Sequence, residues 1–308
     1  MKILNLVYPD KSEVKFEIQK FPDGQQNIVI DKSYYIIGGV KQAAFQPVLV
    51  KSRLNNWLDL ELITAAAASL RELGVKEIHL YTPYFVGARS DRKFQEGGNN
   101  YIKDVIAPVI NSLNFESVTV LDPHSDVLEA CIKGFRKESN LELIKFAIYQ
   151  NIYKNIACDY HSKFILVSPD AGASKKIYKL SEQIGYEGGI ITCSKDRDVD
   201  GKLTKTVVPL YNEEGRWNNY NNKDFIIIDD ICDGGATFVN ISKELQRCKQ
   251  SANIGKIYLI VTHGIFSKGF KELSAYFDGI YSTNSYSDIG DFAGNGLERT
   301  YLKQLNVF

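Results

Sequence analysis

One short stretch contains the residues whose types and spacing could do chemistry. Four apolar residues, Phe225–Ile228, predict a buried strand, and two carboxylates, Asp229 and Asp230, follow it. A loop, Asp233–Thr237, then leads into a predicted helix, Phe238–Cys248. Glycines allow a backbone to approach an anion closely, and the N–H groups at a helix N-terminus favour negative charge. This order predicts a site for a phosphate attached to a sugar.

The side chains of this stretch suit different parts of such a ligand. The carboxylates of Asp229 and Asp230 can accept hydrogen bonds from sugar hydroxyls or hold a hydrated metal ion. The N–H groups of Gly234–Thr237 would point into the loop, and Thr237 adds a hydroxyl. A buried strand with a solvated acidic end, followed by an ordinary glycine turn, is the alternative interpretation of the same residues.

Several other polar segments also follow predicted strands. In chain order, they contain Arg89-Ser90-Asp91, Asp122-Pro123-His124, Ser168-Pro169-Asp170, Lys195-Asp196-Arg197 and His263-Gly264. In an open parallel sheet, ligands bind beyond the carboxyl ends of the strands, so these segments are further candidates for functional residues.

Apolar strand-like runs alternate with helical patterns along the whole chain, which predicts an α/β fold with mainly parallel sheets. The predicted strands are Lys2–Tyr8, Tyr34–Ile37, Pro47–Val50, Glu77–Tyr81, Ser117–Leu121, Lys163–Val167, Gly189–Cys193, Asp224–Ile228 and Lys256–Val261. The predicted helices are Trp57–Leu73, Tyr101–Leu113, Ser174–Ile184, Phe238–Cys248 and Lys268–Ala275. Glu13–Ile18 and Gln26–Ile30 predict a local antiparallel pair.

Length and composition suit a two-domain globular protein. The chain has 308 residues, enough for two domains of about 150 residues. A polar link, Lys133–Asn140, predicts a boundary between domains at 1–140 and 141–308, both doubly wound, with the last residues packing back on the first. With 37 basic and 37 acidic residues we expect neither a nucleic-acid nor a membrane partner. Five cysteines without metal or redox spacing favour a reducing cytoplasm.

In order and spacing, these segments resemble those of the ribose-phosphate pyrophosphokinases (phosphoribosyl pyrophosphate synthetases) over roughly Phe21 to Thr283. The Asp229–Thr237 loop is also similar to the loop of type I phosphoribosyltransferases. The resemblance implies two domains of the type I phosphoribosyltransferase kind. It also implies an enzyme that transfers the β,γ-diphosphoryl group of ATP to the 1-hydroxyl of ribose 5-phosphate. The products would be AMP and phosphoribosyl pyrophosphate, used in nucleotide and NAD biosynthesis.

The resemblance also implies roles for single residues. Ribose 5-phosphate would be bound by Asp229, Asp230, Asp233, Gly234, Gly235, Ala236 and Thr237. ATP would be bound by Phe21, Asp23, Gln25, Arg89, Ser90, Asp91 and His124. Lys195 and Arg197 would be catalytic, as cations of a mobile loop that stabilise charge in the transition state. His263 would be structural.

A metal ion and a second subunit are implied in the same way. His124 and Asp170 would contact Mg²⁺, the aspartate directly and the histidine through metal-bound water or ATP phosphate. Phe21, Asp23 and Gln25 lie on a hairpin that the family donates to the adenine site of a neighbouring subunit. We therefore expect a homodimer or a hexamer of dimers. Taken one by one, these residues also fit a plain Pro-Asp-Gly turn, exposed charges and a capping histidine.

The sequence departs from the family at four places, one of which is the segment Lys51–Asn56. Gln25 replaces a common acidic residue beside the nucleotide, and Ala236 replaces a glycine next to the phosphate. An alanine fits there comfortably only if its φ is negative. The segment Phe94–Asn100 replaces one involved in regulation, which predicts loss of the usual allosteric control by phosphate and ADP.

Two other functions fit parts of the sequence. A phosphoribosyltransferase would share Asp229–Thr237, but Lys195, Arg197, the Arg89 segment and the two-domain length argue against it. A non-catalytic paralogue that regulates active synthetases should have lost catalytic cations or metal contacts. Because Lys195, Arg197, His124 and Asp170 are all present, the active enzyme is favoured.

Overall fold

The computed structural model separates the chain into two units. Residues 1–34, 36–37, 40–41, 46–154, 160–197, 203–210, 220–249, 253–292 and 301–308 are described. Their side chains are described too, except at 34, 36–37, 40–41, 160, 195–197, 203–205 and 248–249. Unit 1 comprises Met1–Ser139 together with Val307–Phe308, and unit 2 comprises Asn140–Asn306.

Unit 1 is built around a parallel sheet of five strands. Its strands, with two short hairpins beside the sheet, are β1 (Lys2–Asn5), β2 (Phe16–Lys20), β3 (Gln26–Ile30), β4 (Ile36–Ile37), β5 (Val40–Lys41), β6 (Val48–Lys51), β7 (Ile78–Tyr81), β8 (Ser117–Leu121) and β9 (Phe135–Glu138). The sheet order is β1-β6-β7-β8-β9, which follows the chain, and every pair in it is parallel. The pairs β2–β3 and β4–β5 are antiparallel and lie outside that sheet.

Three α-helices accompany this sheet: α1 (Trp57–Glu72), α2 (Ala107–Ser112) and α3 (Val127–Cys131). A π-helical turn, Ile102–Ile106, runs directly into α2. Helix α1 begins after Asn56, because the Asn56 side chain accepts hydrogen bonds from the N–H groups of Leu58 and Asp59. Its buried face, including Ile63 and Leu70, joins the apolar strand residues in one core.

The last residue of the chain contributes to unit 1. The ring of Phe308 makes edge contacts with Tyr8 and Tyr81, with ring centroids 6.1 and 6.2 Å apart. The guanidinium of Arg53 lies 5.6 Å from the centre of the Phe308 ring. These four side chains form an aromatic cluster that includes residues from both ends of the chain.

Unit 2 contains a parallel sheet of six strands and one antiparallel hairpin. Its strands are β10 (Phe164–Ser168), β11 (Ile190–Thr192), β12 (Ser194–Arg197), β13 (Leu203–Val207), β14 (Asp224–Cys232), β15 (Ile257–Gly264), β16 (Gly279–Thr283) and β17 (Leu302–Leu305). The sheet order is β11-β10-β14-β15-β16-β17, and all its pairs are parallel. The order therefore reverses between β10 and β14.

Helices cover both faces of this sheet. They are α4 (Leu141–Ala147), which continues into a π-helical turn at Ile148–Ile152, α5 (Ala171–Gln183), α6 (Ala236–Lys249) and α7 (Lys271–Tyr276). Successive residues of a strand point to opposite faces. Phe225 and Ile227 of β14 pack in a core with α6 and α7, whereas Ile226 and Ile228 pack in a second core with α4 and α5.

The structure confirms the predicted α/β class with mainly parallel sheets, and it differs from the predicted elements in two ways. Six strands and two helices were not predicted: β5, β9, β12, β13, β16, β17, α3 and α4. Of the predicted strand Tyr34–Ile37, the described residues Ile36–Ile37 pair only with β5, and residue 35 lies outside the described part. Within the described ranges, no helix combines the length and the apolar composition needed to cross a bilayer.

Candidate functional site

The reversal of strand order in unit 2 marks the candidate site. In open α/β sheets, ligands bind beyond the carboxyl ends of the strands, at the point where the order reverses. Here that point lies between β10 and β14. Asp170 comes two residues after the end of β10, and Asp229 and Asp230 lie near the end of β14. Three predicted site residues of unit 2 are therefore carried by the two strands at the switch point.

Strand β14 continues further than the sequence predicted. The carboxylates were expected to follow the end of the strand, but β14 runs through both of them to Cys232. The reason is β15, which is equally apolar and pairs with β14 as far as Cys232, with Asp229 opposite Val261. On the other side, pairing of β14 with β10 ends at Ile227. Asp229 is thus fixed by one neighbouring strand and lies beyond the last pair with the other.

Asp230 is a buried carboxylate held by a lysine of α5. Its side chain oxygen Oδ2 lies 2.9 Å from Nζ of Lys176, and the residue is only 5% exposed. The alternation of the strand explains this contact, because Ile226 and Ile228 face α5 in the same way. Asp230 was predicted to bind ribose hydroxyls, but Lys176 already engages one of its two carboxylate oxygens.

Asp229 has a different environment from its neighbour. Burial raises its pKa well above the ordinary value, and the nearby charges of Asp230 and Asp170 raise the pKa further. The N–H group of Asp230, which donates to Oδ1 of Asp229 at 2.9 Å, and the charge of Lys176 act in the opposite direction. The carboxylates of Asp170, Asp229 and Asp230 lie at the carboxyl ends of two adjacent strands and repel one another. This repulsion favours binding of hydrogen-bond donors or of a cation.

The loop after β14 has the backbone needed to approach an anion. Gly235 has a φ of +78°, and a Cβ added there would lie 2.9 Å from Cδ2 of Leu273. Ala236 is the first residue of α6, where the backbone is right-handed and φ is negative. The replacement of a glycine by Ala236 is therefore accommodated, because the positive φ falls on Gly235. The N-terminus of α6 opens onto this loop.

A second loop, between β15 and α7, is fastened to the first. The N–H groups of Ile265 and Phe266 donate to the carbonyl of Cys232 at 2.9 and 3.1 Å. The N–H group of Ser267 donates to the carbonyl of Asp233 at 3.2 Å, and its hydroxyl donates to Oδ1 of Asp233 at 2.5 Å. These four hydrogen bonds hold the two loops together, and one of them engages the carboxylate of a predicted ribose-phosphate residue.

Two further residues near this site have structural positions. His263 is buried, and its Nδ1 lies 2.8 Å from the hydroxyl of Ser285. Cys232 is fully buried, and its burial together with the charges of Asp229 and Asp233 raises the pKa of its thiol. The Cys232 thiol therefore stays protonated and contributes to packing.

The predicted catalytic cations lie on a hairpin. Lys195 and Arg197 belong to β12, which pairs antiparallel with β13, and the register shifts between Asp196 and Arg197. Their side chains lie outside the described part of the structure. The hairpin follows β11, the strand beside β10, and it is thus connected to the sheet next to the switch point.

In unit 1, the predicted adenine hairpin is the β2–β3 connection. The N–H group of Phe21 donates to the carbonyl of Gln25 at 2.9 Å, and Gly24, with a φ of +95°, closes the turn. Oδ1 of Asp23 accepts a hydrogen bond from the N–H group of Gln25 at 3.1 Å. Phe21 is 46% exposed, so the turn presents an aromatic ring to solvent.

The other predicted nucleotide residues of unit 1 follow β7 and β8. Arg89 is exposed in a turn closed by a 2.7 Å hydrogen bond from the N–H group of Ser90 to the carbonyl of Gly87. The carbonyl of Asp91 accepts a hydrogen bond from Asn100 at 2.7 Å. His124 is exposed after a tight turn in which Asp122 has a φ of +40°.

A cavity adjoins Ser90. It has a volume of about 300 Å³ and is lined by Ser90, Phe94, Gln95, Gly98, Asn99 and Tyr101. Four of these residues belong to Phe94–Asn100, the segment in which the sequence departs from the family. This segment thus shapes a pocket next to a predicted nucleotide residue.

The described side chains allow a test of the predicted metal. They include no group of three or more His, Cys, Asp or Glu residues that could hold a metal ion. Mg²⁺ requires fewer protein ligands, because it is usually bound by one or two carboxylates together with water and substrate phosphates. Asp170 could supply one such carboxylate, because it lies at the carboxyl end of β10. Its Oδ1 also caps α5 by accepting from the N–H group of Ala173 at 3.1 Å.

Two side chains of this site were not singled out as functional from the sequence. Lys176 holds Asp230, and Ser267 holds Asp233. A lysine six residues after Asp170 in a predicted helix would have indicated the first contact, because that helix packs on the strand that carries Asp230. The second contact joins segments 34 residues apart, and no pattern in the sequence indicates it.

Comparison with known proteins gives relatives that match most of the chain. No family model matches the sequence. The chain is 28% identical over 232 residues to a ribose-phosphate pyrophosphokinase of Saccharolobus solfataricus, covering 75% of this chain and 71% of that protein. The same name is borne by a protein of Mycoplasmopsis pulmonis, 30% identical over 233 residues and covering 75% of this chain and 65% of that protein. A third protein of this name, from Pyrococcus furiosus, is 25% identical over 271 residues, covering 87% of this chain and 85% of that protein.

The fold has a counterpart among solved structures. The crystal structure of phosphoribosylpyrophosphate synthetase from Mycobacterium smegmatis matches 97% of this chain and 88% of that chain, with a TM-score of 0.71 and 16% identity. The fold is thus α/β, of the type I phosphoribosyltransferase kind. The sequence relatives, which match most of the chain at 25 to 30% identity, support its assignment as a divergent member of the ribose-phosphate pyrophosphokinase family.

Proposed function

We propose that this protein is a ribose-phosphate diphosphokinase, which transfers the β,γ-diphosphoryl group of ATP to the 1-hydroxyl of ribose 5-phosphate. The observation that supports it best is the arrangement at the switch point of unit 2. Carboxylates at the end of β14 and an anion-accepting loop at the N-terminus of α6 lie on consecutive residues, Asp229–Thr237. The names of the sequence relatives agree with this chemistry.

The proposed reaction forms one bond and breaks one. The 1-oxygen of ribose 5-phosphate bonds to the β-phosphorus of ATP, and the bond from that phosphorus to the α,β-bridging oxygen breaks. AMP leaves with the bridging oxygen, and the proton of the 1-hydroxyl goes to solvent. Charge accumulates on phosphate oxygens, so positioning and cations supply the catalysis.

The ribose 5-phosphate would be held entirely by unit 2. Asp229 would accept hydrogen bonds from the ribose hydroxyls, and the amides of Asp233–Thr237 with the Thr237 hydroxyl would bind the 5-phosphate. Asp230 is buried and held by Lys176, so its predicted contact with the ribose hydroxyls would require Lys176 to share or release the carboxylate. Asp233, whose Oδ1 accepts from Ser267, would lie near the anomeric end of the ribose.

The nucleotide and the transition state would be bound by the remaining predicted residues. ATP would contact Phe21, Asp23, Gln25, Arg89, Ser90, Asp91 and His124. Lys195 and Arg197 would stabilise charge on the transferred group. Mg²⁺, when bound, would neutralise charge on the phosphates, with Asp170 as a direct contact and His124 acting on its water or on ATP phosphate.

A product assay tests this proposal. Purified protein is mixed with ATP, ribose 5-phosphate and Mg²⁺, with and without added phosphate, and products are separated by chromatography. We expect equimolar AMP and phosphoribosyl pyrophosphate. We also expect equal rates in both buffers, since Phe94–Asn100 departs from the family's regulatory segment.

Other outcomes point to the alternative functions. Consumption of phosphoribosyl pyrophosphate with a nucleobase, and none of ATP, would indicate a phosphoribosyltransferase. No turnover by folded protein, combined with altered activity of an added synthetase, would indicate a regulatory paralogue. Either result would overturn the proposal.

A further inference from the structure

A lysine outside the predicted site lies along its glycine loop. A Cβ added to Gly234 would lie 3.2 Å from Cδ, 3.3 Å from Cε and 3.4 Å from Cγ of Lys268. The aliphatic part of the lysine thus passes directly over Gly234, and the ammonium group is one bond beyond Cε. Lys268 is exposed, so its charge faces solvent at the loop.

The backbone that carries Lys268 is fixed relative to this loop. Its neighbour Ser267 makes two hydrogen bonds to Asp233, and Phe266 donates to the carbonyl of Cys232. Phe266 has a φ of +50° and is buried against Phe270 and Phe292. A non-glycine residue rarely adopts this conformation, so the surrounding contacts hold the turn in place. The backbone of Lys268 is therefore held beside the loop.

The negative charges around the loop would favour a cation at the position of Lys268. Asp229, Asp230 and Asp233 place three carboxylates within five residues, and a sugar phosphate would bring further negative charge. Lys176 lies on the face of α5 and is engaged by Asp230 at 2.9 Å. A cation next to the phosphate end of the loop would offset this repulsion, and Lys268 is a described cation whose stem contacts that end.

We propose that Lys268 is a phosphate-contacting residue of the ribose 5-phosphate site, donating from its ammonium group to the phosphate held by Asp233–Thr237. The inference rests on the proposed function and extends it, because Lys268 belongs to the β15–α7 loop and not to the phosphate loop itself. A lysine suits this role, since its compact charge on a flexible stem can follow a phosphate without needing a planar partner.

Substitution of Lys268 by methionine tests the inference. The change keeps the aliphatic stem over Gly234 and removes the charge. We expect the Kd and the KM for ribose 5-phosphate to rise by about tenfold, the size expected for one charge-assisted hydrogen bond. The KM for ATP and kcat should stay unchanged. The ratio of the Kd values for ribose 5-phosphate, variant to parent, should decrease as salt is added, because the lost contact is between charges.

Two further variants complete the experiment. Lys271→Met makes the same charge change three residues away in the first turn of α7, and it should bind ribose 5-phosphate like the parent. Lys268→Arg keeps a cation and should recover most of the affinity. Thermal unfolding of each variant verifies that the loop remains folded.

Three results would overturn the inference. If Lys268→Met and Lys271→Met bind ribose 5-phosphate equally well, Lys268 does not contact the phosphate, while the proposed function still stands. If the KM for ATP rises as much as that for ribose 5-phosphate, the loss is not specific to the phosphate. If the parent protein binds no ribose 5-phosphate at all, both the inference and the proposed function fail.

Discussion

Two adjacent aspartates of this protein differ in what surrounds them. Asp230 is buried and paired with Lys176, whereas Asp229 lies on the other side of the strand pleat and has an elevated pKa. Burial is the largest cause of that elevation, followed by the charge of Asp230. The difference suits a site in which one carboxylate is held in place and the other is available to a ligand that stabilises its charge.

Substitution of Asp229 by asparagine should raise stability and weaken binding. Because the pKa of Asp229 is raised in the folded state, the folded protein retains a proton that the unfolded chain has lost. Stability therefore falls as pH rises from the ordinary value of 3.8 through the raised pKa, and the full loss is present above it. Thermal unfolding in EDTA should show a higher Tm for Asp229→Asn at pH 7, with a smaller advantage near pH 4.

The same variant should bind ribose 5-phosphate about tenfold more weakly, with little effect on ATP, which separate titrations would measure. Asp230→Asn serves as the control for stability, because it removes a carboxylate that has a cationic partner. Identical unfolding temperatures for Asp229→Asn and the parent at every pH would contradict a raised pKa of Asp229 in the folded state.

Lys176 should stabilise unit 2 through its contact with Asp230. Lys176→Met leaves a buried carboxylate without this partner, which we expect to lower the free energy of unfolding by about 2 kcal/mol. This figure is smaller than for a fully buried pair, because the Lys176 side chain is 34% exposed and partly screened by water. Denaturant unfolding would measure the loss. The neighbouring Lys175→Met, on the exposed side of α5, should show little change.

At the scale of elements, the sequence predicted most of the buried strands but missed the buried strand β16 and the polar strand β9. Ser117–Leu121 was predicted with its exact bounds, because a continuous apolar run is typical of a parallel strand buried on both faces. Strand β9, Phe135–Glu138, lies at a sheet edge and contains three charged residues, so its composition indicated a linker. The Asp229-Asp230 pair likewise indicated a strand end, although pairing with β15 continues past it.

The candidate site was predictable to the extent that it lies on consecutive residues. Asp229–Thr237 could be recognised because a strand, two carboxylates, glycines and a helix follow one another. The contact of Lys176 could have been expected from its place in a predicted helix. The contacts of Ser267 and Lys268 depend on packing between distant segments, which no local pattern encodes. The residue roles themselves stay predictions.

The β12–β13 hairpin should contribute to turnover and not to binding of ribose 5-phosphate. We expect Lys195→Ala and Arg197→Ala each to lower kcat by about a hundredfold, the size found when one group that stabilises transition-state charge is removed. The Kd for ribose 5-phosphate should be nearly unchanged in both. Lys179→Ala, an exposed lysine of α5, is the control. Full activity in both hairpin variants would contradict the catalytic assignment.

At the scale of the whole molecule, the exposed ring of Phe21 bears on assembly. A hairpin tip that presents an aromatic side chain, 46% exposed, fits the expectation that it reaches the nucleotide of a neighbouring subunit. We therefore expect a homodimer or a hexamer of dimers. Light scattering coupled to size exclusion would measure the assembly.

Substitution of Phe21 by alanine should raise the KM for ATP by about tenfold and leave that for ribose 5-phosphate unchanged. If the hairpin acts across subunits, the specific activity of the parent should fall on dilution as the assembly dissociates. Val29→Ala, which truncates a half-exposed side chain of β3 in the same hairpin, should have little effect. A monomer with full activity at all concentrations would contradict the shared site.

The cluster of Phe308 with Tyr8, Tyr81 and Arg53 has a consequence for how the protein is made. Ribosomes synthesise a chain from its first residue, and early domains generally fold while later ones are still being added. Unit 1 begins at Met1, yet one ring of its cluster is supplied by residue 308, after all of unit 2 has been translated. Until residue 308 is synthesised, Tyr8 and Tyr81 of the nascent first unit therefore lack one of their packing partners.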